Sequence, residues 1–117
     1  MKLFNTVTGK KGEEIASEFL KNKGYEIVER NWRNKFGEID IIAKKDNVLV
    51  FVEVKTKIGE LYGLPEEMVG RGKLQKVRNM ATVYLKGKEI SCRIDVIAIV
   101  LADNGSVSRI NHYENVY

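Results

Sequence analysis

GEIDIIAKKDNVLVFVEVKTK, residues 37–57, is the stretch whose reading decides the fold. Its halves are rich in Ile, Val and Phe, and the Asp46-Asn47 pair between them suits the central positions of a tight hairpin turn. With those two residues at the turn, Lys45 faces Val48 and the pairing runs outward in step. Asp40 then falls opposite Glu53, and Glu38 opposite Lys55. Residues opposite one another in an antiparallel pair share a face, with Cβ atoms ~4.5–5.5 Å apart. Residues two apart along one strand share a face as well. One surface of the expected sheet therefore gathers Glu38, Asp40, Glu53 and Lys55.

Two opposed carboxylates repel and need an offset. On one reading Lys55 pairs with Glu38 while the two acids stay solvated, as charged strand faces usually are. On the other, a divalent cation lies between Asp40 and Glu53, because hard cations take carboxylate oxygens. Lys55 would then stand at the edge of the cluster, able to orient a metal-bound water or to offset charge on a phosphate. The hairpin by itself leaves both readings open.

Upstream, TGKKGEEIASEFLKNKG (8–24) spaces Ile15, Ala16, Phe19 and Leu20 as one helical face, with Gly24 as its stop. YEIVERNWR (25–33) reads as a strand of imperfect alternation, and residues 34–37 as a turn. Downstream, residues 58–72 hold several glycines and the one proline, Pro65, and read as a loop with a short helical turn at PEEM. KLQKVRNMATVYLKG (73–87) places Leu74, Val77, Ala81, Tyr84 and Leu85 on one helical face. CRIDVIAIVLA (92–102) is a continuous apolar strand of the buried kind, and VSRINHY (107–113) a last strand after the Asp103-Asn104-Gly105 turn. The order is α-β-β-β-α-β-β, an α/β chain read as one domain over residues 1–117.

Composition narrows the chemistry. The 117 residues are 44% hydrophobic and 31% charged, ordinary for a globular protein. No run approaches the ~20 apolar residues of a membrane span, and the first residues lack the apolar core of a secretory signal. One cysteine, Cys92, excludes an internal disulfide, and a reducing cytoplasm is the expected location. One histidine and one cysteine cannot build a His/Cys zinc site. The net charge of +4 suits a nucleic-acid partner. Lys73 and Lys76 share a helical face with Arg71 just ahead, a surface that either lies along phosphates or is simply solvated. Trp32 between Arg30 and Arg33 reads as packing with surface charge, with strand stacking as the alternative. Tyr62 in the loop is a candidate substrate contact. Asp95 is expected to be structural, held near the site by its strand or paired with a neighbouring arginine, and His112 incidental.

The acid of GEID (37–40) followed by the E-x-K of FVEVKTK (51–57), in this order of elements, resembles the PD-(D/E)XK nuclease superfamily. More closely, the chain resembles the YraN-type endonuclease-like family, related in fold to archaeal Holliday junction resolvases. The likeness runs through GEEIA (12–16), RNWR (30–33), YGLPEE (62–67), KLQKV (73–77) and RIDV (93–96), and so spans nearly the whole chain. It implies a restriction-endonuclease-like core, a mixed sheet flanked by helices. It also implies Asp40 and Glu53 as metal ligands with Lys55 as the motif lysine, the Val54 carbonyl as a further ligand, and Glu13 on the first helix approaching the metal. Gln75 matches a polar position that the superfamily often places near the site. The superfamily's proline before the aspartate is replaced here by Ile39, as in the GEID form of this branch.

The expectation is a magnesium- or manganese-dependent (Mg2+ or Mn2+) phosphodiesterase acting on DNA, with structure rather than sequence deciding the substrate. Arg33, Arg71, Lys73, Lys76 and Gln75 are the candidate nucleic-acid contacts. An RNA substrate, or a non-catalytic nucleic-acid-binding protein that keeps the fold, are the rival readings. No membrane partner is expected. A symmetric homodimer would suit two-strand cleavage, as in the resolvases the family resembles.

Overall fold

The computed structural model describes residues 2–59 and 63–117. The elements follow one another as α1 (Lys2–Asn22), β1 (Glu26–Asn34), β2 (Gly37–Lys45), β3 (Val48–Ile58), the 3-10 turn η1 (Pro65–Met68), α2 (Arg71–Leu85), β4 (Cys92–Leu101) and β5 (Val107–Tyr113). The five strands form a single sheet in chain order. β3 and β4 run parallel, and every other neighbouring pair is antiparallel. A parallel pair needs a long crossover, and η1 with α2 supplies it. The result is a restriction-endonuclease-like α/β core with a mixed sheet, as the motif order leads one to expect.

The hairpin turns where its sequence says. Asp46 and Asn47 both take positive φ, 52° and 64°, which these two residue types tolerate better than most. Pairing follows from Lys45↔Val48 to Ile41↔Val52. The sheet is then covered on both faces. Ala16 and Leu20 of α1 pack with Ile41, Ala43, Val50, Val52, Ile97, Ile99 and Leu101. Val77, Met80 and Ala81 of α2 pack with Ile39, Ile42, Phe51 and Ile94 on the other side. β4 lies between β3 and β5 and is buried from Ile94 to Leu101, which is why it reads as an unbroken apolar run.

Two details depart from the expectations, and the imperfect alternation of β1 finds its cause. α1 begins at Lys2 rather than near Thr8; Gly9 inside it costs about 1 kcal/mol relative to alanine but does not stop the helix. The uneven alternation of β1 has a structural cause, a register shift between Ile27 and Glu29. His112 is not incidental: its side chain is 3% exposed, with Nε2 2.7 Å from Asp95 Oδ2. Asp95 is fully buried and also accepts hydrogen bonds from Arg93 Nε at 3.0 Å and from the Asn115 backbone at 2.9 Å. Burial alone would raise its pKa, yet the bonds from His112, Arg93 and Asn115 hold the carboxyl below its ordinary value. Asp95 thus ties β4 to β5 and to the segment beyond it.

Candidate metal centre

Asp40 falls out of the sheet on both sides. The β2–β3 ladder stops at Ile41↔Val52, so the expected Asp40↔Glu53 and Glu38↔Lys55 pairs do not form. On the other edge, β1 pairs Arg30 with Ile41 and Trp32 with Ile39, and the step between them, Asn31 opposite Asp40, carries no pair. Asn31 sits at φ 54°, left-handed backbone in mid-strand. Alternation slips here too: Ile39 packs on the α2 side with Ile42, while Ile41 faces α1. A buried backbone N–H must still find a partner. Asp40 Oδ2 provides one, accepting from the Val54 N–H at 2.8 Å. The aspartate side chain stands in for the missing strand contact. The N–H and C=O of one strand residue point to the same edge, so the Val54 carbonyl faces this gap as well.

Four acids border the gap. One carboxylate oxygen from each of Glu13, Glu38 and Asp40 lies within 4.8 Å of the other two, close enough to share a metal ion. Glu53, on β3, stands beside the Asp40 carboxyl but outside that group of three, and is 6% exposed. Its Oε1 is 3.4 Å from Lys73 Nζ, and its buried Oε2 has no hydrogen-bond partner. Glu13 owes its place to Gly12. A Cβ at residue 12 would stand 1.8 Å from Thr56 Oγ1, so α1 can lie against β3 only with glycine there. The next residue, Glu13, is half-buried in the cluster, while Glu14 is exposed.

The electrostatics follow from this crowding. Burial, reinforced by Asp40 and Glu38, pushes Glu13 up to about 7. Burial and the charge of Asp40 push Glu53 up to about 7 also, against the opposing pull of Lys73. Asp40 is raised by burial, partly countered by the Val54 N–H. Desolvated like charges favour protons, and they favour a hard cation for the same reason. An all-oxygen donor set with one buried oxygen unpartnered fits such an ion.

The basic residues divide. Lys55, two residues beyond Glu53 on the same face of β3, is half-buried and makes no ion pair with any described residue. Glu38 pairs instead with Arg33 at 3.0 Å, so the Lys55–Glu38 ion pair is not what this face holds. Lys73, half-exposed, pairs with Glu53 at the edge of the acidic cluster. Arg71 and Lys76 lie on the exposed side of α2. Gln75 is bound to Asn79 at 3.0 Å and accepts from the Tyr117 hydroxyl. Trp32 packs edge-on against Tyr84, with ring centroids 5.2 Å apart. Tyr62 lies outside the described residues.

Sequence reasoning passed over Asn31 and the pairing of Lys73 with Glu53. An asparagine in mid-strand is a signal, since Asn is enriched at positive φ. Lys73 keeps about half of its side chain in water, so helical spacing carries no signal of its pairing with Glu53.

A second group, Asp95, His112 and Glu114, also brings three potential ligand atoms within 4.8 Å of one another. The Arg93 guanidinium already fills it, 3.0 Å from Asp95 and 3.1 Å from Glu114. That group is a closed ionic network and does not fit a metal.

Residues 12–99 match the model of a family described as "Uncharacterised protein family UPF0102". The chain is 43% identical to a UPF0102 protein of Desulforamulus reducens over 98% of both chains. It is 46% identical to one of Persephonella marina over 84% of this chain and 87% of that one. Against one of Dictyoglomus turgidum it is 38% identical over 97% of this chain and 98% of the other.

Proposed function

The chain belongs to the uncharacterised protein family UPF0102, which is the YraN-type family its motifs resemble, and from that premise we propose that it is a Mg2+- or Mn2+-dependent phosphodiesterase acting on DNA. The observation that carries this is Glu53: a carboxylate 6% exposed, beside the Asp40 carboxyl, with one buried oxygen that no other described donor reaches. Folding confines such charges at a cost unless something compensates them.

Asp40 and Glu53 would hold the ion, with the Val54 carbonyl and Glu13 completing the donor set. When bound, the metal neutralises phosphoryl oxygens and lowers the pKa of its water. Asp40 is already oriented by the Val54 N–H, so its free oxygen is preset. Lys55 orients the attacking water from the same face of β3. Lys73 neutralises part of the acidic charge and is placed to meet a substrate phosphate at the mouth of the gap. Arg33, Arg71 and Lys76 would hold the backbone without reading bases. With so few elements beyond the core, discrimination by nucleic-acid structure is favoured over base readout.

The test is a panel of labelled duplex, single-stranded, flap and four-way-junction DNA, with matched RNA, incubated with Mg2+ or Mn2+. Wild type should cut at least one DNA form, and Glu53→Ala and Asp40→Asn should cut none. Cleavage confined to RNA would move the substrate assignment. If nothing is cut, while wild type and Glu53→Ala bind DNA equally well, the protein is a nucleic-acid-binding module.

A further inference from the structure

We propose that the shallow cavity between the β1–β2 turn and α2 is a nucleobase site, taking one unstacked base of a single-stranded or frayed nucleic acid beside the acidic cluster. Its place in catalysis rests on the phosphodiesterase reading; its binding chemistry does not.

Phe36, at the turn, is 70% exposed, the most exposed large apolar residue among those described. A phenylalanine left in water forgoes the gain of burial that its ring would otherwise bring. Its backbone is held in place, since the Asn34 side chain accepts the Phe36 N–H at 2.8 Å. Between this residue and α2 lies a cavity of about 170 Å³, lined by Phe36, Lys76, Asn79, Met80 and Val83. It is smaller than the ~300–1,000 Å³ of drug-sized pockets, and on a scale for one flat ring system. Phe36 offers a π-face for stacking and Met80 a polarisable thioether. Val83, 46% exposed, continues the apolar floor.

The polar groups suit a nucleotide rather than a neutral aromatic. Asn79 Oδ1 is engaged by the Gln75 side-chain amide at 3.0 Å, which leaves the Asn79 NH2 to donate to acceptors on a base edge. Lys76 is in the wall, and Lys35 Nζ stands 5.2 Å from the Phe36 ring centroid. Lys35 lies over one face of the ring, leaving the other for a base, and Lys76 lines the cavity, so two cations stand near where phosphates joined to that base would run.

The placement connects this cavity to the acidic gap. β2 leads from the turn to Asp40, four residues from Phe36, a span of about 13 Å in extended chain. Along α2, Lys76 follows by about one turn Lys73, whose ammonium is 3.4 Å from Glu53. A strand with one phosphate at the acids therefore brings a nearby base to Phe36. Duplex DNA keeps its bases stacked and paired and gains little here. The site would select single strands, flaps and frayed ends.

The experiment measures binding in EDTA, in the uncuttable Asp40→Asn background. Its probes are 2-aminopurine-labelled single-stranded DNA, single-stranded RNA and blunt duplex DNA. Phe36→Ala should weaken single-strand binding by about 5- to 100-fold and abolish the stacking-induced fluorescence change. Phe36→Tyr should restore both, and duplex affinity should change less than twofold. The loss on DNA, RNA or both supports the site and names its source. Unchanged single-strand binding in Phe36→Ala overturns it, as does an equal loss on duplex. So does a shift from dimer to monomer on Phe36→Ala in sedimentation, which would make the patch a contact between copies of this chain. Mn2+ titration of Phe36→Ala in the otherwise native chain should match wild type. If wild type itself takes up no Mn2+, the metal reading fails while the base site stands on its own data.

Discussion

Asp40 carries two loads that can be separated. It accepts the Val54 N–H, a structural task, and its free oxygen joins the acidic cluster. Asp40→Ala leaves that N–H without its acceptor and should cost about 1–3 kcal/mol in urea unfolding. Asp40→Asn keeps an acceptor and should lie nearer wild type. Both should lose Mn2+ binding by calorimetry. Equal stability for the two variants would show that the Val54 bond contributes nothing.

Glu13 and Glu53 give a pH dependence with a definite sign. Their folded pKa values, about 7, exceed those of an unfolded glutamate, near 4.5, so the folded chain holds more protons through that interval. Stability from this source is full below about pH 4.5 and is lost as pH rises through 7. Asp95 and Glu66, both lowered, act in the opposite direction, but only as pH falls below the ordinary carboxylate range. Between pH 5 and 7.5 in EDTA, the urea midpoint should therefore fall with rising pH. Mn2+ affinity should rise over the same range, with protons released on binding. A midpoint that climbs with pH would refute the assignment.

At the scale of elements, the cluster depends on how closely α1 approaches β3. Gly12→Ala places a methyl group 1.8 Å from Thr56 Oγ1 and 2.8 Å from Thr56 Cβ. Helix and strand must part, at about 1–3 kcal/mol, and Glu13 moves with the helix. Mn2+ affinity should drop alongside the thermal midpoint. Adding Thr56→Ala removes Oγ1 but not Cβ, so it should rescue both in part. A lowered thermal midpoint in Gly12→Ala with Mn2+ affinity unchanged would mean that Glu13 is no ligand. η1 is fastened in a comparable way, Glu66 gripping Arg109 of β5 at 2.8 and 2.9 Å and accepting from the Tyr113 hydroxyl at 2.6 Å.

Over the whole molecule, Glu13, Glu38, Asp40 and Glu53 border one gap, with lysines and arginines nearby on α2 and the β1–β2 turn. A nucleic acid held this way releases counterions on binding. The logarithm of affinity should fall linearly with the logarithm of salt concentration, and Lys76→Ala should reduce the slope by about 1. A flat salt response in wild type would exclude backbone-dominated binding.

What could be read without coordinates was whatever short-range periodicity encodes. The hairpin at Asp46-Asn47, the two-sided burial of residues 94–101 and the apolar stripe of α2 all follow from residue spacing, because backbone geometry repeats every two or 3.6 residues. Asp40, Glu53 and Lys55 share a face on that spacing, but their roles as motif residues come from the resemblance of GEID and FVEVKTK to a known family.

Only the tertiary structure decided how these residues meet. Pairing rules carry the ladder past Ile41 to Asp40, whereas in the folded chain it stops, Asn31 turns left-handed and a side chain replaces a strand contact. Lys73, Glu38 and His112 found their partners through packing between segments far apart in the chain. Local periodicity states which face a residue occupies; which charge waits opposite it depends on layers that come together only on folding.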